Sequence, residues 1–184
     1  MNTTYWVSKS ASNGLWPEAA YDFGADGKMI IYNGIVNGYY YVEGIKTAAG
    51  LIRENGYYYY AAGGGKLVTG CSYWISNTNG LLAAGTYRFN DEGKIIMSTG
   101  IVEENGTLYY YRNGLRTANA GLMQMNGNYY YIGSGAKAVV GQTYWVSKTN
   151  GLPFETGSYR FDENGCMILT TEIVEVWFYT TFTI

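Results

Sequence analysis

The chain of 184 residues lacks histidine and has only two prolines, two cysteines and a charged fraction of 14%. Without histidine there is no serine or cysteine triad of the ordinary kind, no histidine-containing metal site and no imidazole that titrates near neutral pH. The net charge of −2 provides no basic stripe to neutralise phosphates, which argues against a nucleic-acid partner. No apolar run reaches the length of ~18 residues that a membrane span needs.

The remaining ionisable and glycine-rich motifs do not indicate catalysis or metal binding. Asp91 and Glu92 are adjacent in a turn, whereas glycosidase carboxyls must face each other across a cleft. The acidic turns ADG, DEG and ENG lack the regular series of oxygen ligands of a calcium loop. No helical period follows the glycine run before Lys66, so that run is not a phosphate-binding loop. We therefore expect no catalytic residue, no metal site and no cofactor.

Tyrosine and glycine are abundant, with 21 and 26 copies, and they occur in a long repeat. Trp6, Trp74 and Trp145 lie in the segments YWVSKSASNG, YWISNTNG and YWVSKTNG. A Tyr-Xaa-Phe motif, an acidic-glycine turn and a short apolar strand follow each of them, and the spacing is about 66 to 72 residues. The sequence predicts a single repeat array over residues 1–184, with long copies at about 1–69, 70–140 and 141–174 (partial).

A shorter rhythm runs inside each long copy. The segments NGYYYVEG, ENGYYYYAAGGGK, NGTLYYYRNG and NGNYYYIGSGAK each place a turn before and after a tyrosine-rich run, at intervals of about 20 residues. Asn-Gly is the strongest short-range signal for a β-hairpin turn. A lone hairpin is marginal in water, so neighbouring hairpins must stack to bury their aromatic faces. The predicted fold is an all-β solenoid of stacked β-hairpin repeats.

These units resemble the cell-wall-binding, or choline-binding, repeats of Gram-positive surface proteins. Related repeats occur in glucan-binding proteins and as the repetitive oligopeptides of clostridial toxins. The resemblance extends to about Val174 and implies ligand sites in grooves between hairpins. It also implies an extracellular or cell-surface location. The first residues carry no signal peptide, so we expect the chain to be a fragment of a larger secreted protein.

The choline cage implied by the resemblance uses a tryptophan after glycine, the first aromatic of the triplet, an aromatic from the next hairpin and often a methionine. The tryptophan position holds aliphatic residues in this chain, namely Ile35, Leu51, Ile101 and Leu122. The first aromatic is present as Tyr40, Tyr58 and Tyr129, whereas Leu108 replaces it once. Methionine is matched at Met29 and Met167, with Ile95 between them. Because a cation–π cage needs several aromatic faces, choline binding would rest on a partial cage.

Saccharide binding needs only an aromatic platform with polar groups beside it. Such groups follow the tryptophans as Asn77 and Asn79 in one copy and as Lys148 and Asn150 in another, and Arg88 and Arg160 adjoin two further tyrosines. The predicted ligand-binding residues are Trp6, Trp74, Trp145, Tyr40, Tyr58, Tyr129, Tyr87 and Tyr159. The predicted partner is cell-wall polysaccharide, teichoic acid or glucan.

The alternative interpretation is a structural spacer or protein-interaction repeat in which packing consumes every aromatic side chain. Trp16 has no counterpart in the other copies and is expected to pack locally. Cys71 and Cys166 occupy positions that are not equivalent, which predicts two incidental thiols rather than a disulfide framework.

The C-terminal segment 175–184 departs from the repeat. Trp177 and Phe178 stand where Asn105 and Gly106 make a turn in the preceding copy, so the segment is expected to be an atypical apolar strand. An unusual cap, a reading-frame artefact and a dimerisation strand all account for it. The last of these predicts a homodimer through the C-terminal strand.

Overall fold

A computed structural model describes residues 3–169; the segment 175–184 and the homodimer predicted through it lie outside the described residues. Residues 3–169 form β-strands and two single-turn 3-10 helices, Gly63–Gly65 and Ser134–Ala136. None of the described helices is long and apolar enough to cross a membrane. The strands are β1 (Thr3–Val7), β2 (Ala19–Phe23), β3 (Met29–Ile30), β4 (Gly34–Val36), β5 (Tyr39–Val42), β6 (Ile45–Lys46), β7 (Gly50–Glu54), β8 (Tyr57–Ala61), β9 (Ser72–Ile75), β10 (Gly85–Arg88), β11 (Gly100–Glu104), β12 (Thr107–Arg112), β13 (Leu115–Arg116), β14 (Gly121–Met125), β15 (Asn128–Ile132), β16 (Thr143–Val146) and β17 (Gly157–Arg160).

Consecutive strands pair as antiparallel hairpins. The pairs include β1–β2, β4–β5, β7–β8, β9–β10, β14–β15 and β16–β17. In β7–β8 the connection is Asn55-Gly56, with φ angles of 49° and 84°. A two-residue turn of this mirror-image type requires positive φ at both positions, which asparagine and glycine tolerate best. The predicted all-β fold of hairpin repeats is confirmed.

The chain divides into two compact units, each with its own core. Among the described residues, unit 1 comprises 3–102 and 110–117, and unit 2 comprises 103–109 and 118–169. The largest core cluster of unit 1 consists of Leu51, Val68, Ile75, Tyr87, Phe89 and Ile95. The core of unit 2 consists of Leu122, Tyr131, Val139, Val146, Phe161 and Met167. Most members of the two clusters occupy equivalent repeat positions, and each cluster joins residues from two successive long copies.

In unit 1 the turn after β9 clamps the hairpin β7–β8. The backbone N–H of Leu51 donates to the carbonyl of Asn77 at 2.9 Å. The side-chain amide of Asn79 donates to the carbonyls of Ala49 and Leu51 at 2.7 and 2.8 Å. Gly50 has φ +75°, and a Cβ there would collide with the side-chain amide of Asn77. Stacking of these hairpins therefore requires glycine at this position.

The same clamp recurs in unit 2. The N–H of Leu122 donates to the carbonyl of Lys148 at 2.8 Å. The amide of Asn150 donates to the carbonyls of Ala120 and Leu122 at 2.6 and 2.8 Å. A Cβ at Gly121 would lie 2.8 Å from the backbone carbonyl of Lys148. The Asn-Gly signal after each of these two tryptophans thus sets both a turn and a contact between hairpins.

Candidate functional site

Three equivalent tryptophans project into solvent. Trp6, Trp74 and Trp145 are 66%, 64% and 60% exposed, and they lie in β1, β9 and β16. Successive strand residues point to opposite faces. The next residue in the two later strands, Ile75 or Val146, accordingly points inward and is fully buried. The same alternation that anchors β9 and β16 in their cores turns each indole outward.

In unit 2 the strand register places polar side chains beside the indole. Trp145 pairs with Ser158, and Thr143 pairs with Arg160. Directly paired residues share a face of the hairpin, and so do residues two positions apart. All four are exposed. We name this set of four residues the Trp145 face.

The equivalent faces in unit 1 follow the same register. The Trp74 face consists of Ser72, Trp74, Thr86 and Arg88. The Trp6 face consists of Thr4, Trp6, Ala20 and Asp22. In the Trp6 face the hydroxyl of Thr4 donates to Asp22 Oδ1 at 2.5 Å. Each face therefore combines one exposed indole with at least one hydroxyl and one charged side chain, which suits stacking against a sugar ring with hydrogen bonds at its edge.

Two predicted site tyrosines, Tyr87 and Tyr159, point away from these faces. Tyr87 is 2% exposed, and its hydroxyl donates to the carbonyl of Ala83 at 2.9 Å. Tyr159 is half-buried, and its hydroxyl donates to the carbonyl of Glu155 at 2.9 Å. Neither tyrosine shares a surface with the arginine that follows it, because adjacent strand residues face opposite sides. The predicted grouping of these tyrosines with the arginines was wrong; the arginines belong to the tryptophan faces.

The triplet tyrosines among the predicted residues pack against cores. Tyr40, Tyr58 and Tyr129 are all half-buried and contact core clusters. The ring of Tyr129 meets that of Phe154 edge-on at 4.7 Å between centroids. The guanidinium of Arg53 lies 5.6 Å from the Tyr58 ring centroid. Their outer edges remain accessible, but much of each ring is committed to packing.

The positions of the choline cage are filled by the protein itself. Leu51 and Leu122 are fully buried in the two cores, and Met167 is 6% exposed. At two of the tryptophan positions, Leu51 and Leu122, core packing therefore replaces a wall of the cage.

The ammonium groups of two lysines lie over tyrosine rings. The ammonium of Lys46 lies 4.1 Å from the centroid of Tyr39, and that of Lys94 lies 4.3 Å from the centroid of Tyr57. Contacts at this distance are cation–π interactions. A quaternary ammonium ligand would have to displace these lysines from the tyrosine rings.

The amides predicted to bind sugar hydroxyls are also committed elsewhere. The side-chain amides of Asn79 and Asn150 each donate to two carbonyls of the preceding hairpin. The amide of Asn77 donates to the carbonyl of Ala49 at 3.4 Å. The ammonium of Lys148 donates to the carbonyl of Asn119 at 3.3 Å. Sequence proximity to a tryptophan was a poor guide here. The signal that identifies its partners is period-two alternation applied across the hairpin, which selects residues such as Ser158 and Arg160.

Burial and hydrogen bonding raise the pKa of tyrosines that lie outside the three faces. Burial raises the pKa of Tyr87 above its usual 10.0. The Cys166 thiol, 3.3 Å from the hydroxyl of Tyr130, raises the pKa of that tyrosine by hydrogen bonding.

Both cysteines are free thiols, with Cys71 exposed. Trp16 packs edge-on against Tyr21 at 6.2 Å. Within residues 3–169 no three acidic or cysteine side chains form a group that could hold a metal ion.

Comparison with known proteins gives matches among solved structures. No protein-family model and no curated protein sequence matches this chain. Choline binding protein F from Streptococcus pneumoniae is 24% identical with a TM-score of 0.50, over 90% of this chain and 47% of its own. The modular autolysin LytC from Streptococcus pneumoniae is 15% identical with a TM-score of 0.59, over 90% of this chain and 33% of its own. CbpJ from Streptococcus pneumoniae TIGR4 is 19% identical with a TM-score of 0.51, over 97% and 62%.

The chain thus spans about half the length of choline binding protein F and a third of LytC. The similarity covers nearly all of this chain and carries the same small antiparallel hairpin sheets. It agrees with the glycine turns and tyrosine triplets of the sequence. In fold, the repeats of this chain are of the choline-binding type.

Proposed function

We propose that this chain is a non-catalytic binding module, extracellular or on a cell surface, that attaches a larger protein to a cell-wall polymer or related glycan. The ligand stacks on the tryptophan faces. The observation that carries the proposal is the exposure of three equivalent indoles, while the tyrosines of the triplets, apart from Tyr57, are buried or half-buried.

An indole that stays exposed to water forgoes the free energy of folding that its burial would contribute. Burial of apolar surface contributes roughly 25 cal/mol per Å², and an aromatic side chain can bury about 150–250 Å². A spacer whose aromatics serve packing alone would cover these rings. Repetition of the exposure at Trp6, Trp74 and Trp145 instead favours a surface that is covered by a ligand.

Two ligand classes have support among the neighbours, namely choline and a cell-wall polymer. A structure of choline binding protein F in the presence of a peptidoglycan analogue is 25% identical to this chain, with a TM-score of 0.50. The candidate polymers remain cell-wall polysaccharide, teichoic acid and glucan. Choline is the weaker candidate because the buried leucines Leu51 and Leu122 occupy two of the cage positions.

Co-sedimentation with insoluble Gram-positive cell walls tests the proposal. The parent chain is expected to sediment, and the triple variant W6A/W74A/W145A is expected to lose at least about tenfold in affinity. The conservative change Trp16→Phe is the matched control, because that indole packs locally, and it should behave as the parent.

Tryptophan fluorescence during titration with choline and with soluble glucan separates the ligands. A saturable response to a glycan and none to choline is the expected result. Sedimentation of the triple variant at parental affinity would contradict the tryptophan faces as the site. A choline response in the absence of any glycan response would favour the partial cage instead.

A further inference from the structure

The three tryptophan faces differ in charge at one register position. The residue paired with the hydroxyl-bearing Thr4, Ser72 or Thr143 is acidic in the first face and basic in the other two. It is Asp22 in the Trp6 face and Arg160 in the Trp145 face. The tryptophan occupies the same position in all three faces, whereas the side chain diagonal to it is negative in one face and positive in the other two. These faces are therefore suited to different ligands.

Arg160 is placed to meet a ligand on the indole. It is the diagonal neighbour of Trp145, and such side chains start roughly 7 Å apart on the same face of a hairpin. Arg160 is exposed, and within residues 3–169 it forms no salt bridge. The nearby Asp162 carboxylate accepts the backbone N–H groups of Asn164 and Cys166 at 2.9 and 2.8 Å, so it is engaged in its own turn.

We propose that the Trp145 face binds a hexuronate unit of an acidic glycan, an inference that rests on the proposed function. The sugar ring stacks on the indole of Trp145, and the carboxylate pairs with the guanidinium of Arg160. Thr143 and Ser158 supply hydroxyls at the edge of the ring. A guanidinium matches a carboxylate with two parallel hydrogen bonds.

The carboxylate of a hexuronate is bonded directly to the sugar ring, so a single unit reaches both the indole and the arginine. A polyol phosphate offers the anion without a ring to stack. A neutral sugar offers the ring without the anion. The Trp6 face serves as an internal comparison, because Asp22 would repel a carboxylate at the equivalent position.

The test is a titration of the full chain labelled with 5-fluorotryptophan and observed by fluorine NMR. The Trp145 resonance is assigned as the signal lost in W145F. The probes are trigalacturonate, its methyl ester and a polymer of glycerol phosphate. We expect a saturable shift of the Trp145 resonance with trigalacturonate and at least about tenfold weaker binding of the ester.

Arg160→Gln should weaken trigalacturonate binding by about tenfold or more and leave the affinity for the ester within twofold. Lys137→Gln is the matched control, because it removes the same charge from an exposed position outside the three faces, and it should leave the Trp145 response unchanged. Added salt should weaken binding of the acid but not of the ester. Equal affinity for acid and ester, or tighter binding of glycerol phosphate, would overturn the assignment to a hexuronate.

The two proposals fail separately. If the Trp145 resonance does not respond to trigalacturonate while tryptophan-dependent sedimentation with cell walls persists, the hexuronate inference is wrong and the binding module stands. If sedimentation does not depend on the tryptophans either, both are wrong.

Discussion

The clamp asparagines combine a backbone role with a side-chain role. Asn79 has φ +48°, which favours asparagine among residues with a side chain, and its amide satisfies two carbonyls of the preceding hairpin. Asn150 does the same at φ +55°. An Asn-Gly pair in the sequence indicates the turn, but only the structure shows that the amide reaches the preceding hairpin.

Substitution of Asn79 separates these two roles. Asn79→Ala is expected to lower the free energy of unfolding by about 2–4 kcal/mol, because it removes two hydrogen bonds and leaves a positive φ. Asn79→Gly removes the same hydrogen bonds without the backbone penalty and should cost about 1–2 kcal/mol less than alanine. Urea unfolding measures both. Equal losses would show that the backbone conformation contributes nothing.

Tyr87 makes stability depend on alkaline pH. Its pKa in the folded chain lies above 10.0 because of burial, so the unfolded chain loses this proton first as the pH rises. The stability that the protonated Tyr87 hydroxyl contributes is complete below pH 10. It is lost as the pH rises through the pKa of this hydroxyl in the folded chain. Tyr87→Phe should be less stable at pH 7 by about 1 kcal/mol, through loss of the bond to Ala83, yet should lose less stability between pH 9 and 11. The urea midpoint is measured as a function of pH for both proteins. An identical decrease of the midpoint between pH 9 and 11 would contradict the prediction.

At the scale of the hairpin, Gly50 tests whether close approach between elements limits stability. Gly50 and Gly80 have similar φ angles of +75° and +72°. A Cβ at Gly50 meets Asn77, whereas a Cβ at Gly80 meets nothing within 4 Å. Gly80→Ala should therefore cost only the backbone penalty of about 1–2 kcal/mol. Gly50→Ala should cost a further ~1–3 kcal/mol from overpacking, measured by thermal or urea unfolding. Similar losses in the two variants would contradict a tight contact.

The hairpins themselves could be predicted from sequence, because asparagine and glycine at positive φ have few structural alternatives. The register β16–β17 could also be approached from the alternation of Trp145 and Val146. The site was harder. Arg160 adjoins Tyr159 in sequence but lies with Trp145 in space, since a strand separates neighbours and a hairpin brings distant residues together. Sequence adjacency therefore suggested the wrong partners.

At the scale of the whole chain, each unit has a core of its own. Leu122 is fully buried in unit 2, and Leu122→Ala is expected to cost about 2–5 kcal/mol. In a repeat protein this cost falls first on neighbouring repeats. Hydrogen exchange should accelerate most in β14–β15 and least in β7–β8. Equal acceleration in both hairpins would indicate a single cooperative unit.

The organisation of the whole chain remains in part a prediction. The spacing of the tryptophans predicts the long copies, and Leu51 and Leu122 occupy equivalent positions in two core clusters. The single array over residues 1–184 stays a prediction. Its atypical segment 175–184 lies outside the described residues. Composition and spacing could not reveal which aromatics pack and which face solvent, because that choice depends on strand register.

The exposed indoles also determine how this protein can be observed. Three of its tryptophans emit from a surface environment in the native state, and unfolding moves them only from water to water. The emission wavelength of these three tryptophans should therefore change little on denaturation, even when the fold is lost. The packed tyrosine rings are held in fixed asymmetric surroundings, such as the pair Tyr131 and Tyr144. Near-ultraviolet circular dichroism of tyrosine should thus report folding. Tryptophan fluorescence should instead report ligand binding at the surface.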